Sequence, residues 1–101
     1  MKILLVCNAG MSSSILVKKI IEYAQAIGEP VIASAASSSS LDEVKGEYEV
    51  CLIGPQLAYA TEEIASILEI PCEAIDMSVY AIADGEKAYL QAKHLRGLTN
   101  V

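Results

Sequence analysis

The chain has 101 residues, of which 53% are hydrophobic, so length and composition predict one domain, residues 1–101, around a single core. With no Trp, no Phe and five Tyr, that core must be largely aliphatic, as in a parallel sheet covered by helices. The formal net charge of −6 argues against a nucleic-acid partner, because phosphate backbones are bound by clustered Lys and Arg. No apolar run approaches the roughly 20 residues of a membrane-spanning helix, so we expect a chain that does not itself span a membrane.

The three cysteines show no C-x-x-C spacing, and their odd number argues against a disulfide framework, a zinc site or a thioredoxin motif. We therefore expect a reducing, cytoplasmic location and neither a metal ion nor another cofactor. Cys51 and Cys72 lie within or beside apolar segments, which is typical of small buried hydrophobic residues. The apolar run Ile3–Cys7 has five residues and falls short of the roughly 7–15 of a secretory signal core.

A strand and then an amphipathic helix are predicted at the start of the chain. Lys2–Val6 is an apolar run typical of a buried strand, and a turn of small and helix-capping residues follows it. The apolar residues that recur at helical spacing after this turn are Leu16, Ile20, Ala24 and Ile27. Gly28 and Pro30 then provide the signals that end a helix.

Three more strands and two more helices are predicted in the rest of the chain. The strands are Val31–Ala35, Val50–Ile53 and Pro71–Ile75, with a loop at Ser37–Ser40 and a short helix or turn at Leu41–Gly46. One helix runs from about Leu57 to Leu68, and another, capped by Asp84 and ended by Gly97, turns Ala88, Ala92 and Leu95 inward. Because strands and helices alternate, the expected α/β fold is a single four-stranded parallel sheet with helices on both faces.

The segment after the first strand has the composition of an anion site. Ligands of open parallel sheets bind beyond the carboxyl ends of the strands, which is where Cys7 falls. The loop that follows consists of Asn8, Ala9, Gly10, Met11, Ser12, Ser13 and Ser14. Its backbone N–H groups can point inward, and its serine hydroxyls can add donors and cap the next helix. A cysteine in such a phosphate-binding loop indicates a phosphocysteine intermediate, although a buried cysteine before a capped turn would show the same pattern.

Other chemistries fit this loop less well. It lacks the G-x-x-x-x-G-K-[ST] spacing of nucleotide-binding loops. The C-x5-R loop of tyrosine phosphatases and arsenate reductases is chemically close, but Ser13 stands where its Arg would be. No Asp is an obvious general acid, although the fold could bring Asp76 or Asp84 close. A phosphoryl carrier is therefore favoured, with a cysteine phosphatase or arsenate reductase, and a module phosphorylated only for signalling, as alternatives.

Three segments resemble one known family. The run I-L-L-V-C-N-A-G-M-S-S-S-I-L-V, residues 3–17, resembles the active-site segment of enzyme IIB subunits. These subunits form the lactose/cellobiose (chitobiose) class of the bacterial phosphoenolpyruvate-dependent sugar phosphotransferase system. Residues 52–59, L-I-G-P-Q-L-A-Y, are similar to the family's L-L-G-P-Q-x-x-[YF] segment, and residues 74–85 to its I-D-x-x-x-Y-G-x-x-D-G stretch. The similarity spans the chain in order and at matching spacing.

The resemblance implies that Cys7 accepts a phosphoryl group from a phosphohistidine of enzyme IIA. It would donate that group to a sugar, expected to be a β-linked disaccharide, carried by the membrane-embedded enzyme IIC. The fold implied is again a four-stranded parallel sheet with helices on both faces. Gln56, Tyr59 and Tyr80 are candidates for partner contact, with a packing role as the alternative for the two tyrosines.

Overall fold

The first strand, β1 (Lys2–Cys7), is covered on both faces in this computed structural model, which describes residues 1–8 and 11–99. Its side chains alternate between two hydrophobic layers. Ile3 and Leu5 pack into one layer, whereas Leu4 and Val6 pack into the other. All four are at most 1% exposed, which explains why the strand is an unbroken apolar run instead of an alternating one.

Four parallel strands form one sheet within the described residues, in the order β2–β1–β3–β4. The other strands are β2 (Ile32–Ser37), β3 (Val50–Ile53) and β4 (Cys72–Ala74). In the register, Cys7 pairs with Ser37, and Cys51 pairs with Cys72. The predicted four-stranded parallel sheet is confirmed, with β1 in its interior.

Helices cover both faces of the sheet. They are α1 (Met11–Ala26), α2 (Leu41–Val44), α3 (Thr61–Leu68), α4 (Met77–Ala81) and α5 (Gly85–Thr99). Two short 3-10 helices, Ser38–Ser40 and Pro55–Ala60, follow β2 and β3. Side chains of α1 and α5 complete the layer that holds Ile3, and side chains of α2 and α3 complete the layer that holds Leu4. The sheet thus divides the expected single core in two.

One predicted helix end is confirmed and one is wrong. Ile27 lies beyond the end of α1 and is 44% exposed, whereas Leu16, Ile20 and Ala24 are fully buried as predicted. The end of α1 is the confirmed one: Gly28, at a φ of 75°, donates to the carbonyl of Gln25 and caps the helix as predicted, which leaves Ile27 outside it. Gly97 does not end α5, which continues to Thr99.

The helix predicted over Leu57–Leu68 is two elements. Pro55 opens a 3-10 helix that continues to Ala60, and α3 begins only at Thr61, whose hydroxyl donates to the carbonyl of Ala58 at 2.8 Å. Ser37–Ser40 is likewise more ordered than a loop, since Ser37 is the last residue of β2 and the other three serines form a 3-10 helix.

The helix α4 was not predicted from the sequence. Its N-cap is Asp76, whose carboxylate accepts a hydrogen bond from the backbone N–H of Ser78 at 3.1 Å. A five-residue helix has too few turns for a periodic apolar pattern, so only its cap marks it. In the described part of the chain, no helix combines the length and the apolar character needed to cross a bilayer.

Candidate functional site

Cys7 is the last residue of β1 and is 5% exposed. The helix α1 begins at Met11, so its amino-terminal turn lies beside Cys7 at the carboxyl edge of the sheet. The first N–H groups of a helix have no intrahelical acceptor, and together with the helix dipole they attract anions. The Cys7 thiol therefore lies next to the end of a helix that attracts anions.

The predicted phosphate loop is partly helix. Met11–Ser14 form the first turn of α1, so the serines Ser12, Ser13 and Ser14 do not precede the helix as caps, and that prediction is wrong. This arrangement leaves three residues between Cys7 and α1.

The loop side chains differ in exposure. Asn8 and Ser14 are exposed, whereas Ser13 is 3% exposed and has an interaction partner. The buried hydroxyl of Ser13 is thus a fixed polar group in the first turn of α1, at the carboxyl edge of the sheet where Cys7 lies. Ala9 and Gly10, and the side chains of Met11 and Ser12, lie outside the described residues.

Gln56 is brought to Cys7 by the turn after β3. The N–H of Gly54 donates to the carbonyl of Val6 at 2.9 Å, which extends the ladder between β1 and β3 by one bond. A Cβ atom at Gly54 would lie 3.5 Å from Cβ of Cys7 and 3.3 Å from Oε1 of Gln56. Because glycine leaves that space free, the Gln56 amide and Cys7 border the same small volume.

Ser37 was missed as a site residue. It is the register partner of Cys7 on β2, so its side chain lies on the same face and at the same edge of the sheet. Its hydroxyl lies 3.0 Å from that of Ser39 and accepts from the Ser39 N–H at 3.3 Å. The signal available in the sequence was the serine run after the second strand, which was interpreted only as a loop.

The two candidate tyrosines lie in different environments. Tyr59 is 85% exposed, so the packing role considered for it is wrong. It lies on the 3-10 helix after β3 and borders a groove of about 210 Å³ whose other walls include Leu57, Glu63 and Ile67. Tyr80, on α4, is half-buried and packs against the layer formed by α1 and α5, so a packing role describes it better.

The groups that a cysteine phosphatase needs are engaged elsewhere. The only arginine of the sequence, Arg96, pairs with Glu49 at 3.3 Å, at the edge of the sheet opposite Cys7. Asp76 and Asp84 cap α4 and α5 by accepting hydrogen bonds from the N–H groups of Ser78 and Lys87. The hydrogen bonds from Ser78 also lower the pKa of Asp76, which makes it a poor general acid.

Comparisons with known proteins agree on one family. The sequence model described as "PTS system, Lactose/Cellobiose specific IIB subunit" matches residues 2–91. The oligo-beta-mannoside-specific EIIB component of Bacillus subtilis is 44% identical over 97 residues, covering 93% of this chain and 94% of that protein. The galactose-specific EIIB component of Lactococcus lactis is 34% identical over 101 residues, covering 92% and 94%.

Solved structures show the same fold. The solution structure of the cellobiose-specific phosphotransferase IIB component from Borrelia burgdorferi has a TM-score of 0.78 and 34% identity, covering 96% of this chain and 92% of that one. The lactose-specific IIB domain from Streptococcus pneumoniae, at 23% identity, has a TM-score of 0.80 over 93% of this chain and 95% of that one. The resemblance noted in the sequence is confirmed: the chain belongs to the lactose/cellobiose-specific IIB family and is a sugar-specific component of the phosphotransferase system.

Proposed function

We propose that Cys7 is the nucleophile that carries the phosphoryl group in this IIB component. The observation that supports this role is its place at the carboxyl end of the interior strand, directly before the amino-terminal turn of α1. Cys51 and Cys72 lie in the opposite layer, Cys51 inside β3 and Cys72 at the start of β4, so neither lies at the carboxyl end of its strand.

The transfer takes place in two displacements. In the first, the sulfur of Cys7 attacks the phosphorus of a phosphohistidine on enzyme IIA, the P–N bond breaks, and the imidazole leaves with the electron pair. In the second, a sugar hydroxyl attacks the phosphorus, the P–S bond breaks, the thiolate is restored and the hydroxyl proton is released. Asn8–Ser14 would hold the phosphoryl oxygens through backbone N–H groups and serine hydroxyls, and the Gln56 amide borders the same space.

The partners are enzyme IIA, which donates the phosphoryl group, and the membrane-embedded enzyme IIC, which carries the sugar that accepts it. The chain binds them one after the other at the inner face of the membrane. Exposed apolar side chains at the carboxyl edge support docking there: Ile15 is 52%, Tyr59 85% and Met77 58% exposed. Because one edge serves both partners, each complex must dissociate before the next forms.

Among β-linked oligosaccharides, the sugar is proposed to be an oligo-β-mannoside. The relative that is 44% identical is named for oligo-β-mannosides, whereas relatives at 34% identity are named for cellobiose and galactose. The test is to incubate the phosphorylated chain with membranes that contain one enzyme IIC each and a panel of β-mannosides, cellobiose and lactose. Phosphorylated oligo-β-mannoside as the main product would support the assignment, and transfer to lactose alone would contradict it.

Intact-protein mass spectrometry tests the role of Cys7. The chain is incubated with phosphoenolpyruvate, the general phosphotransferase proteins and a panel of enzyme IIA subunits. We expect a gain of one phosphoryl group that Cys7→Ser abolishes and that the matched Cys51→Ser variant retains. Phosphorylation of Cys7→Ser would overturn the assignment. Sustained Cys7-dependent release of phosphate from a small aryl phosphate would instead favour the phosphatase alternative.

A further inference from the structure

Cys51 and Cys72 are neighbours in the sheet, away from the carboxyl end of β1 where Cys7 lies. They are register partners on the adjacent parallel strands β3 and β4, so both side chains lie on the same face of the sheet. Both belong to the layer formed with α2 and α3, and neither is in a disulfide. Adjacent strands lie about 4.8 Å apart, within the Cα separation of about 4.4–6.8 Å that a disulfide spans.

We propose that Cys51 and Cys72 are a peroxide-sensitive dithiol that closes reversibly to an intramolecular disulfide. The two residues differ in access, because Cys51 is fully buried whereas Cys72 is only half-buried. Cys72 is therefore the residue that meets the oxidant, and Cys51 is the resolving thiol. This role uses neither Cys7 nor the phosphoryl group, so it does not depend on the proposed function.

The hydrogen bonding of the two thiols favours that order. Cys72 Sγ lies 3.3 Å from the carbonyl oxygen of Ile70, and Cys51 Sγ lies 3.7 Å from that of Leu52. A thiol that rotates can instead donate to the neighbouring sulfur. Donation from Cys51 to Cys72 lowers the pKa of Cys72, whereas that contact and burial raise the pKa of Cys51. The more accessible sulfur is thus also the better nucleophile.

The chemistry balances with one peroxide. The Cys72 thiolate attacks a peroxide oxygen, the O–O bond breaks, hydroxide leaves, and Cys72 becomes a sulfenic acid. The sulfur of Cys51 then attacks Cys72 sulfur, the S–O bond breaks, and water leaves with the Cys51 proton. The two sulfurs supply the two electrons that reduce the peroxide. Because β4 is a three-residue edge strand with one neighbour, it can adjust to the torsion angles that the disulfide requires.

The fold excludes Cys7 from this pair. Cys51 lies opposite Leu4 in the register, three residues before Cys7. By alternation along β1, Cys7 faces the same side as Leu5, which is the side opposite Cys51. An intramolecular disulfide should therefore join Cys51 to Cys72 only.

The proposal is tested by oxidising the full chain stepwise with hydrogen peroxide. The oxidised chain is then denatured, its free thiols are alkylated, and the products are analysed by mass spectrometry. We expect the alkylatable thiols to fall from three to one, a digest to contain a peptide linking Cys51 to Cys72, and dithiothreitol to reverse both changes. The Cys7→Ser variant should give the same linked peptide. A linked peptide that contains Cys7, or free Cys51 and Cys72 after Cys7 is fully oxidised, would overturn the proposal.

Matched variants separate pairing from general reactivity. In Cys51→Ala, Cys72 should still react with a sulfenic-acid probe but lose the linked peptide, whereas Cys72→Ala should leave Cys51 unreactive. Circular dichroism checks that each variant folds. If a variant does not fold, the peptide analysis of the unmodified chain still decides whether Cys51 and Cys72 pair. Equal sulfenic-acid labelling of Cys51 and Cys72 would contradict the assigned order.

Discussion

Gly85, the first residue of α5, lies directly against the main-chain carbonyl of Lys19 in α1. A Cβ atom at Gly85 would collide with that carbonyl group and lie 2.7 Å from Cβ of Lys19. A side chain can therefore enter only if one helix moves. Asp84 precedes this contact and accepts a hydrogen bond from the N–H of Lys87 at 3.1 Å, which fixes the residue at which α5 begins. Gly85 then allows the start of α5 to pack closely against α1.

Gly85→Ala is expected to lower the free energy of unfolding by about 1–3 kcal/mol, because the added methyl group overpacks this helix contact. Gly97→Ala is the matched control. It lies in the same helix with no atom within 4 Å of a Cβ atom, and it should raise the free energy of unfolding by about 0.5–1 kcal/mol. Urea denaturation measures both, and equal effects would contradict the collision.

Gln56→Ala is expected to slow phosphoryl acceptance by about ten- to a hundredfold, the effect of losing one hydrogen bond to a charged group. The reason is that the side-chain amide of Gln56 borders the space beside Cys7, where its Nε2 group, turned toward that space, can donate to a phosphoryl oxygen. Gln25→Ala, an exposed glutamine of α1, is the control and should accept at the unchanged rate. Single-turnover transfer from phosphorylated enzyme IIA measures the rates, and equal rates for both variants would remove Gln56 from the site.

Tyr59→Ala is expected to raise the KM for the phosphorylated partner severalfold while changing the free energy of unfolding by less than about 0.5 kcal/mol. The tyrosine is 85% exposed, so its removal leaves no cavity. Ile27→Ala removes an apolar side chain, 44% exposed, at the opposite edge and should leave the KM unchanged. A destabilised Tyr59→Ala variant, or an unchanged KM, would contradict a docking role.

Tyr89 should make the protein less stable in alkali. Burial and then the hydrogen bond to Glu29, at 2.5 Å, raise the pKa of Tyr89 to about 12 from its ordinary 10.0. A raised pKa contributes stability that is complete below the unfolded value and is lost as pH rises through the folded one. We therefore expect part of the fall in unfolding free energy between pH 10 and 12 to disappear in Tyr89→Phe. An identical pH dependence for both proteins would contradict this assignment.

Glu29 should contribute the opposite dependence in acid. Its hydrogen bond with Lys93, followed by that with Tyr89, lowers the pKa of Glu29 below its ordinary 4.5. Stability from such a group is present above the unfolded pKa and is lost as pH falls through the folded value. Glu29→Gln should therefore be less stable than the unmodified protein at neutral pH, and the difference should shrink below pH 4.5. Denaturation curves across this range measure it.

The sheet could be predicted because its signals are local. Val50–Ile53 is an apolar run closed by Gly-Pro, and the observed strand has the same bounds. Cys7 could also be placed, since its position follows from the end of a strand. The predictions that failed concern features that are set by contacts between elements or by the geometry of helix caps. Gln56 was named as a candidate for partner contact from the family resemblance, whereas nothing in the sequence shows that Ser37 is the register partner of Cys7.

The cap at Gly28 was predicted correctly, but the exposure of Ile27 and the end of α5 were not. The same apolar spacing continues through Ile27, but the positive φ of Gly28 requires the chain to leave the helix before that residue can be buried. Glycine often marks the end of a helix, but α5 continues past Gly97 to Thr99. A single exposed glycine lowers the stability of a helix by only about 1 kcal/mol, which is too little to end it.

The two hydrophobic layers give the protein two units that can open separately. Amides of α2 and α3 are expected to exchange with solvent through an opening that leaves α1, α5 and the face of β1 toward them closed. Cys51 would become accessible in that opening, whereas Cys7 would keep its neighbours. The proposed disulfide between Cys51 and Cys72 can therefore form and be reduced while the carboxyl edge of the sheet around Cys7 stays folded.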